Sequence, residues 1–556
     1  MLRNNNWGYL GRNLASLKRC LSTHNDLSKE PQLNQFQDPH RPPEQFGSSN
    51  PGPVNKNTRG INNPNMGNSG VVPPVPSPKH GAFGIGRTVV GIASLLMVLG
   101  GGTGLYRSYK AQSISDGGIE ILQEALNHEN KGNIDGAIEE YENFLKQLDN
   151  EGVEHTNSNY LGAAVRIAEL YEIEKRPDKA LKIYKCLSLY MTKVITETDS
   201  EYLFGGGSEY NAAMTRSLAL AVKYASMLPE DSNEEAKKVL LTNIVEAQKQ
   251  VMEEYPPFIT VLNENTNQNI LAMIARDMEK KMSGKTEEQK KKQMHEAMKE
   301  PLELPIYTTD PMEENRLLGL FVKGWPPFTR SLINARDLYA NICIQDGDYA
   351  EAASSLTTNA VIIQRCFDHP ARLSICLTKL AIVLQMMAET LTDRLLQEKE
   401  QLQKEQQEQL EQQDQQGHPD STDPPARIPQ LELDGAKLDP NKLLTSALQM
   451  QNPQIKEFVI QKTYKESERI FKRTILLTDK MKQQHMKNQV SELFKPALDK
   501  SEMVSACGLA LIGYQSGEYK DALKYLQRAR VLASRLNANE YLEDINKWID
   551  QVERET

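Results

Sequence analysis

Few residues of this chain have the types and the spacing that catalysis or metal binding requires. His295 and Glu296 begin an HE pair, but the second histidine that would place two zinc ligands on one helical face is missing. The tripeptide GKT at 284–286 has the ending of a phosphate-binding loop, but Glu279 stands where its first glycine should be. No GxSxG motif for a nucleophilic serine is present. The sequence therefore predicts no enzyme, no metal site and no cofactor; a hydrolase or metal enzyme with a divergent site is the alternative.

Charge is distributed unevenly along the chain. The net charge is −9 over 556 residues, yet residues 1–110 contain 12 Lys and Arg against 4 Asp and Glu, and the rest contains 53 against 70. Phosphate binding needs clustered Lys and Arg, so the acidic body argues against nucleic acid as the main ligand. A content of 25% charged residues excludes a membrane protein with many spans.

The N-terminal region has the pattern of a mitochondrial targeting segment. Residues 1–25 contain four basic residues, no acidic residue and scattered leucines, which is typical of a transit peptide. The sequence RCLS at 19–22 resembles the processing site of mitochondrial presequences, so we predict a presequence over 1–21. A disordered basic tail is the alternative.

A polar segment and an apolar run follow the presequence. Residues 22–87 are rich in Pro, Asn, Gly and Ser, which predicts a disordered tether. Residues 88–106 contain no charged residue and would extend about 28 Å as a helix, close to the thickness of a bilayer core. We therefore predict a single transmembrane helix over 88–106; a buried core helix is the alternative.

Four short motifs resemble one another within 111–556, where hydrophobic residues recur at helical spacing. In each motif an alanine precedes a second alanine by twelve residues. On two antiparallel helices joined by a tight turn, these positions lie where the helices approach closely and only a small side chain fits. The pairs are Ala125 and Ala137, Ala168 and Ala180, Ala340 and Ala352, and Ala510 and Ala522.

The four motifs resemble the tetratricopeptide repeat (TPR), which has small residues at positions 8 and 20 and an aromatic or aliphatic residue at position 24. Gly132, Gly347 and Gly517 match its turn position. None of the motifs has the tryptophan common at position 4, and Ala236 looks like a fifth second-helix alanine although Tyr224 occupies its partner position. The predicted fold is all-α: a TPR-like helical-repeat solenoid over 111–556, attached to a single N-terminal transmembrane helix.

Two polar segments interrupt the repeats, near 279–301 and 397–440. Both read as solvated helix or disorder, with a coiled-coil face as the alternative for the second. Cys366 and Cys376 are nine residues apart, as in helical hairpins that carry disulfides. Their apolar surroundings favour ordinary core thiols, and the sequence leaves their oxidation state open.

A concave face lined by the first helix of each repeat is the expected working surface of such an array. If the repeat alignment holds, this predicted groove would suit peptide segments with some basic residues, because its members are apolar or acidic. A solvated helix face is the alternative for each one. The members are Val165, Glu169, Glu172, Asn334, Asp337, Asn341, Val504, Leu511 and Tyr514.

A presequence, a polar tether, one span and a TPR-like domain together resemble the tetratricopeptide adaptor subunit of the yeast mitochondrial i-AAA protease. The resemblance implies an inner-membrane protein with its C-terminal domain in the intermembrane space. It also implies a complex with the protease and a second adaptor subunit, in which unfolded or membrane-protein substrates are bound and delivered for degradation. The alternative is an inner-membrane TPR scaffold or assembly factor for a respiratory or import complex.

Overall fold

The computed structural model describes residues 115–197, 207–254, 326–365, 370–415, 453–485 and 490–556, and the single residues Gln289 and Lys292. The predicted presequence (1–21), tether (22–87) and transmembrane span (88–106) lie outside the described residues. So do nearly all of the polar segment 279–301 and residues 416–440 of the second one.

Every described element is helical, and the described residues contain no strand. This confirms the all-α prediction. A short 3-10 turn, Glu230–Ser232, precedes α6. The thirteen α-helices of the described residues are α1 Asp116–Asn130, α2 Ile134–Asn150, α3 Ser158–Ile173, α4 Pro177–Glu197, α5 Gly207–Met227, α6 Asn233–Glu254, α7 Thr329–Asp346, α8 Tyr349–Arg365, α9 Pro370–Gln415, α10 Pro453–His485, α11 Val490–Gln515, α12 Tyr519–Arg535 and α13 Asn539–Glu555.

Each helix packs against the next one along the whole array, from α1 on α2 to α12 on α13. The first helices of neighbouring hairpins also meet, since α5 contacts α7 and α9 contacts α11. Elements that contact mainly their sequence neighbours form a helical-repeat solenoid, as predicted. The order holds even between α6 and α7, which pack together although α6 ends at Glu254 and α7 begins at Thr329.

The turns inside four hairpins share one backbone geometry. Gly132, Gly347 and Gly517 have φ angles of +73°, +82° and +78°, and Lys175 has the same left-handed conformation with φ +60°. The next amide then reaches back to a carbonyl of the first helix, as in the 2.8 Å bond from the Asp348 N–H to the Cys343 oxygen. Glycine adopts this conformation without steric cost, which explains its choice at three of the four turns.

The eight alanines of the repeat motifs are all 0% exposed. Those of α3 and of the helices beyond it belong to one hydrophobic core that runs from α3 to α13, and Ala125 and Ala137 belong to a second core formed by α1, α2 and α3. The divergent motif also forms a hairpin, α5 and α6, in which Tyr224 and Ala236 are each 1% exposed. The Tyr224 hydroxyl donates a 2.6 Å hydrogen bond to Glu235, which satisfies its polar group.

Replacing Ala168 by leucine should destabilise the protein by roughly 1–3 kcal/mol, because the larger side chain overpacks a filled core between α3 and α4. Leucine in place of Gln407 exchanges one exposed side chain of α9 for another of similar size and should change stability by less than about 0.5 kcal/mol. Thermal unfolding of the full-length variants measures both. Equal tolerance at the two positions would contradict the alignment of the repeats.

A long hairpin, α9 and α10, was not predicted by the alanine motif. The two helices run antiparallel, since Lys456 of α10 pairs with Glu398 of α9 at 2.6 Å and the Ser467 hydroxyl donates to the Ala381 carbonyl at 2.7 Å. The Gln- and Glu-rich residues 397–415 continue α9, and their side chains are almost all exposed as far as Glu408. The start of the second polar segment is therefore a solvated helix.

The last helix, α13, covers the end of the core. It buries Ile545, Trp548, Ile549 and Val552 on one side, and most of its other residues are exposed or half-buried. A final helix with a polar outer face is what a repeat array needs to end in water.

Helix α9 also contains the one described stretch that is long and apolar enough to cross a membrane, Ala371–Glu408. Of its most apolar part, 89% is buried against the rest of the protein. It contacts α8, α10 and α11, so its apolar character is explained by a central place in the core.

Candidate functional site

The first helices of the hairpins, here called A helices (α1, α3, α5, α7, α9 and α11), carry the predicted groove residues. Arg166 of α3 connects two of these helices. Its Nε lies 3.1 Å from Oε2 of Glu129 on α1, its Nη2 contacts the other oxygen of Glu129, and its Nη1 lies 2.7 Å from Glu169. The Arg166 side chain is 8% exposed, so this two-pronged ion pair is largely removed from water.

Glu172, at the end of α3, has two partners within the protein. It accepts a 2.7 Å hydrogen bond from the Tyr184 hydroxyl and lies 3.0 Å from Nζ of Lys223 on α5. The first hairpin repeats the tyrosine contact, because the Tyr141 hydroxyl donates to Glu129 at 3.1 Å. In both hairpins a glutamate satisfies a buried tyrosine twelve residues later and also binds a cation from the next A helix.

These contacts change the electrostatic prediction for the groove. Burial raises the pKa of the Glu169 carboxyl, and the Arg166 guanidinium opposes that shift. Glu169 and Glu172 therefore already have cationic partners. Ion pairs within the protein offset part of this charge, so the attraction of basic peptide segments, which stays a prediction, should be weaker than the sequence suggests.

In the middle of the array, too, an acidic residue of one A helix contacts a cation of the next A helix. Both carboxylate oxygens of Asp337 lie within 2.9 Å of Nζ of Lys379 on α9, and the side-chain oxygen of Asn341 lies 3.3 Å from the same nitrogen. Lys379 is only 1% exposed. Asn334, one turn before Asp337, is half-buried.

The three predicted residues of the last motif lie mostly inside the protein. Val504 and Leu511 are 2% and 0% exposed, so the prediction that they line an open groove is wrong. The cause is the long hairpin, because α11 packs on α9 and α10 as well as on α12. Tyr514 is half-buried and accepts a 3.0 Å hydrogen bond from Gln551 of α13.

The structure therefore places the nine predicted residues on three A helices, α3, α7 and α11. Three of the nine, Val165, Asn334 and Tyr514, are uncharged and half-buried, so part of each side chain remains accessible. The cations Arg166, Lys223 and Lys379 were missed by sequence reasoning. Arg166 lies three residues before Glu169, which is a readable signal, but no local spacing connects Lys379 to Asp337, 42 residues away.

Part of this array matches a known family. Residues 199–364 match the MGR3 middle domain. No curated protein matches the chain. One solved structure that resembles it, a "Circular tandem repeat protein with novel repeat topology and enhanced subunit contact surfaces", has 12% identity over 79% of this chain and 88% of its own, with a TM-score of 0.14, too low for an argument about fold or function.

The match to the MGR3 middle domain spans α5 to α8 and suggests an adaptor-type role with protein partners. Within it, Lys237 of α6 reaches the turn between α7 and α8 and lies 2.5 Å from both Asp346 and Asp348. The Lys237 side chain is 10% exposed. This cluster holds the two hairpins of the matched region together across the long connection between α6 and α7.

Arg336, also in the matched region, is buried without a carboxylate partner among the described residues. Its Nη2 lies 3.5 Å from the Ser355 carbonyl oxygen and its Nε has no acceptor. Burial lowers the pKa of the guanidinium to about 10. Arg336 occupies position 4 of its repeat, where the tetratricopeptide pattern has tryptophan, so a buried guanidinium stands here in place of an aromatic ring.

Thiols and possible metal ligands add no second centre among the described side chains. Cys376 is buried and free, and its thiol donates to the Leu356 carbonyl at 3.3 Å, whereas Cys366 lies outside the described residues. Among the residues that the structure describes, no three His, Cys, Asp or Glu side chains are placed to hold a metal ion.

Proposed function

We propose that this protein is a membrane-anchored TPR adaptor that binds unfolded or membrane-protein substrates and delivers them to the mitochondrial inner-membrane i-AAA protease. The match of α5 to α8 to the MGR3 middle domain, inside a continuous helical-repeat array, is the observation that carries the proposal. The apolar run 88–106 is its anchor, with the repeat domain in the intermembrane space. The protease and a second adaptor subunit are its fixed partners, and nucleic acid is not a partner.

The adaptor works by tethering and performs no chemical step of its own. A substrate held by a receptor that is anchored beside an anchored protease meets the protease at an effective concentration on the order of mM when the connection is short. Stiff ion pairs between A helices, such as Arg166 with Glu129, keep the receptor face from changing shape as the substrate is transferred.

Substrate capture should depend weakly on salt, because the acidic groups Glu169, Glu172 and Asp337 are already paired within the protein. Apolar contacts and hydrogen bonds, which salt screens little, then supply the affinity. Between about 0.1 M and about 0.5 M salt we expect the affinity for an unfolded client to fall by less than threefold. A fall of about tenfold or more, measured by fluorescence anisotropy with the full-length protein in nanodiscs, would show that free charges dominate.

The half-buried residues without ion pairs are the ones we expect to touch the client. Replacing Val165 and Asn334 together by alanine should weaken client binding by at least fivefold, since a contact at the centre of an interface contributes about 1 kcal/mol or more. Gln407→Ala, on the exposed part of α9, is the matched control. Association with the protease should survive both changes.

Affinity purification of the full-length protein from mildly solubilised mitochondria, with mass spectrometry, tests the function as a whole. The comparison is a chain truncated after Lys110. An AAA protease and varied inner-membrane clients that copurify only with the intact repeats support the adaptor. Copurification of a single respiratory or import complex at a fixed ratio would instead support the alternative function, a scaffold or assembly factor.

A further inference from the structure

The outer side of the second and third hairpins carries an exposed surface that the adaptor function does not use. Opposite the core, α4 and α6 present apolar and basic side chains together. We call this surface the outer patch. Its members are Lys182, Leu189 and Lys193 of α4, and Lys238, Leu241, Val245 and Lys249 of α6.

The two helices hold the patch as one surface. They run parallel and side by side, since Lys185 pairs with Glu235 at 2.7 Å and the Asn243 amide donates to the Thr192 hydroxyl at 3.0 Å, about two turns further along both helices. Because these contacts fix the register, Leu189 and Leu241 lie at nearly the same height. Exposed fractions of 50% and 44% show that both project into solvent.

Charge sets the patch apart from its surroundings. Its four lysines are all exposed, and carboxylates lie beside two of them: Glu246 is 3.7 Å from Lys249, and the exposed Glu234 is four residues before Lys238. Residues 111–556 as a whole carry 53 basic against 70 acidic residues. On the neighbouring hairpin, the outer side of α2 instead exposes Glu139, Glu142 and Asp149.

We propose that the outer patch rests on the anionic surface of the membrane in which the chain is anchored. This rests on the anchoring part of the proposed function. The apolar run ends at residue 106 and α1 begins at Asp116, so the connection can span at most about 35 Å. An acidic body held that close to an anionic surface is repelled by it except where a basic face meets it.

The composition of the outer patch fits a lipid surface. The apolar side chains stand on the outer side of two neighbouring helices, where they can enter the headgroup region, and the lysine stems extend toward lipid phosphates. Each lysine close to an anionic surface strengthens binding by about fivefold. Docking would fix the orientation of the A helices relative to the bilayer, from which membrane-protein clients emerge.

Cys186 makes the test direct, because it is an exposed free thiol on α4 between Lys182 and Leu189. The full-length protein is reconstituted into vesicles of phosphatidylcholine alone or phosphatidylcholine with cardiolipin. It is then labelled with a polar maleimide, and peptide-resolved mass spectrometry reads Cys186 and Cys507 separately. Cys507, half-buried on α11, is the internal control.

In the cardiolipin vesicles Cys186 should react at least fivefold more slowly than in phosphatidylcholine, and Cys507 equally fast in both. The variant Lys182→Glu with Lys238→Glu should restore fast labelling, while the buried Cys343 and Cys376 stay unlabelled as evidence of an intact fold. Equal labelling of Cys186 in the two lipids, or protection that survives the lysine changes, would overturn the proposal. Client binding by the same preparations is scored separately, so failure of the patch leaves the adaptor function standing.

Discussion

Replacing Gly508 by alanine should destabilise the C-terminal part of the array by about 2–3 kcal/mol, although the change adds a single methyl group. A Cβ on Gly508 of α11 would overlap Cζ and Cε2 of the Phe471 ring on α10. The Phe471 ring is 0% exposed, so a shift of the ring would press on other buried groups. The two helices must therefore separate, and that cost exceeds the gain of up to about 1 kcal/mol from the higher helix propensity of alanine.

Gly117→Ala is the matched control, because Gly117 lies in the first turn of α1 and a Cβ there meets no atom within 4 Å. This variant should be more stable than the wild type by about 0.5–1 kcal/mol. Thermal unfolding of the full-length proteins gives the signs. Hydrogen exchange shows which helices are destabilised. Gly508→Ala should speed exchange in peptides of α10 and α11 and leave exchange in α1 unchanged. If Gly508→Ala stabilised the protein as Gly117→Ala does, the close contact of α10 with α11 would be absent.

The repeat hairpins could be predicted from the sequence because each depends on residues close together in the chain. Ala340 and Ala352 lie only twelve residues apart, and Gly347 between them marks the turn with a left-handed backbone. The same logic covers the hairpin of α5 and α6, although Tyr224 replaces the alanine there. Its hydroxyl finds Glu235 just past the turn, so a larger side chain is accommodated.

The rest could not be predicted because it depends on partners far along the chain. The helices α9 and α10 are separated by 37 residues of sequence, and the burial of Val504 and Leu511 follows from the packing of these two helices on α11. An acidic residue on an A helix looks available in the sequence until the cation from the next repeat is known. Glu129 and Arg166 are 37 residues apart, so only their contact in the folded array reveals that acidic groups of this face have cationic partners.

Replacing Lys379 by methionine should cost about 3–5 kcal/mol, the largest effect we expect. Methionine keeps the length of the side chain, so the apolar packing of α9 is little changed. The loss arises at Asp337, whose side chain is 17% exposed and would lose the cation that lies 2.8 Å away. A buried charge left unpaired costs far more than the pair itself contributes.

A double-mutant cycle separates these contributions. Asp337→Leu alone should also destabilise strongly, because Lys379 is 1% exposed and loses its carboxylate. The double variant Lys379→Met with Asp337→Leu should return to within about 1 kcal/mol of the wild type, since apolar residues can replace both members of a buried pair. Single variants as stable as the wild type in thermal unfolding would show that water reaches the pair.

The same double-mutant cycle also measures what the ion pair of Asp337 and Lys379 contributes to client binding. Asp337 lies within the stretch that matches the MGR3 middle domain, whereas Lys379 lies on α9, just beyond it. If this pair serves only stability, the double variant should capture clients as the wild type does. If it holds α7 at the angle to α9 that the client-binding face requires, the double variant should be stable and yet bind clients several-fold more weakly. An uncharged contact keeps two helices together, but it does not fix their orientation as two hydrogen bonds from one nitrogen to a carboxylate do.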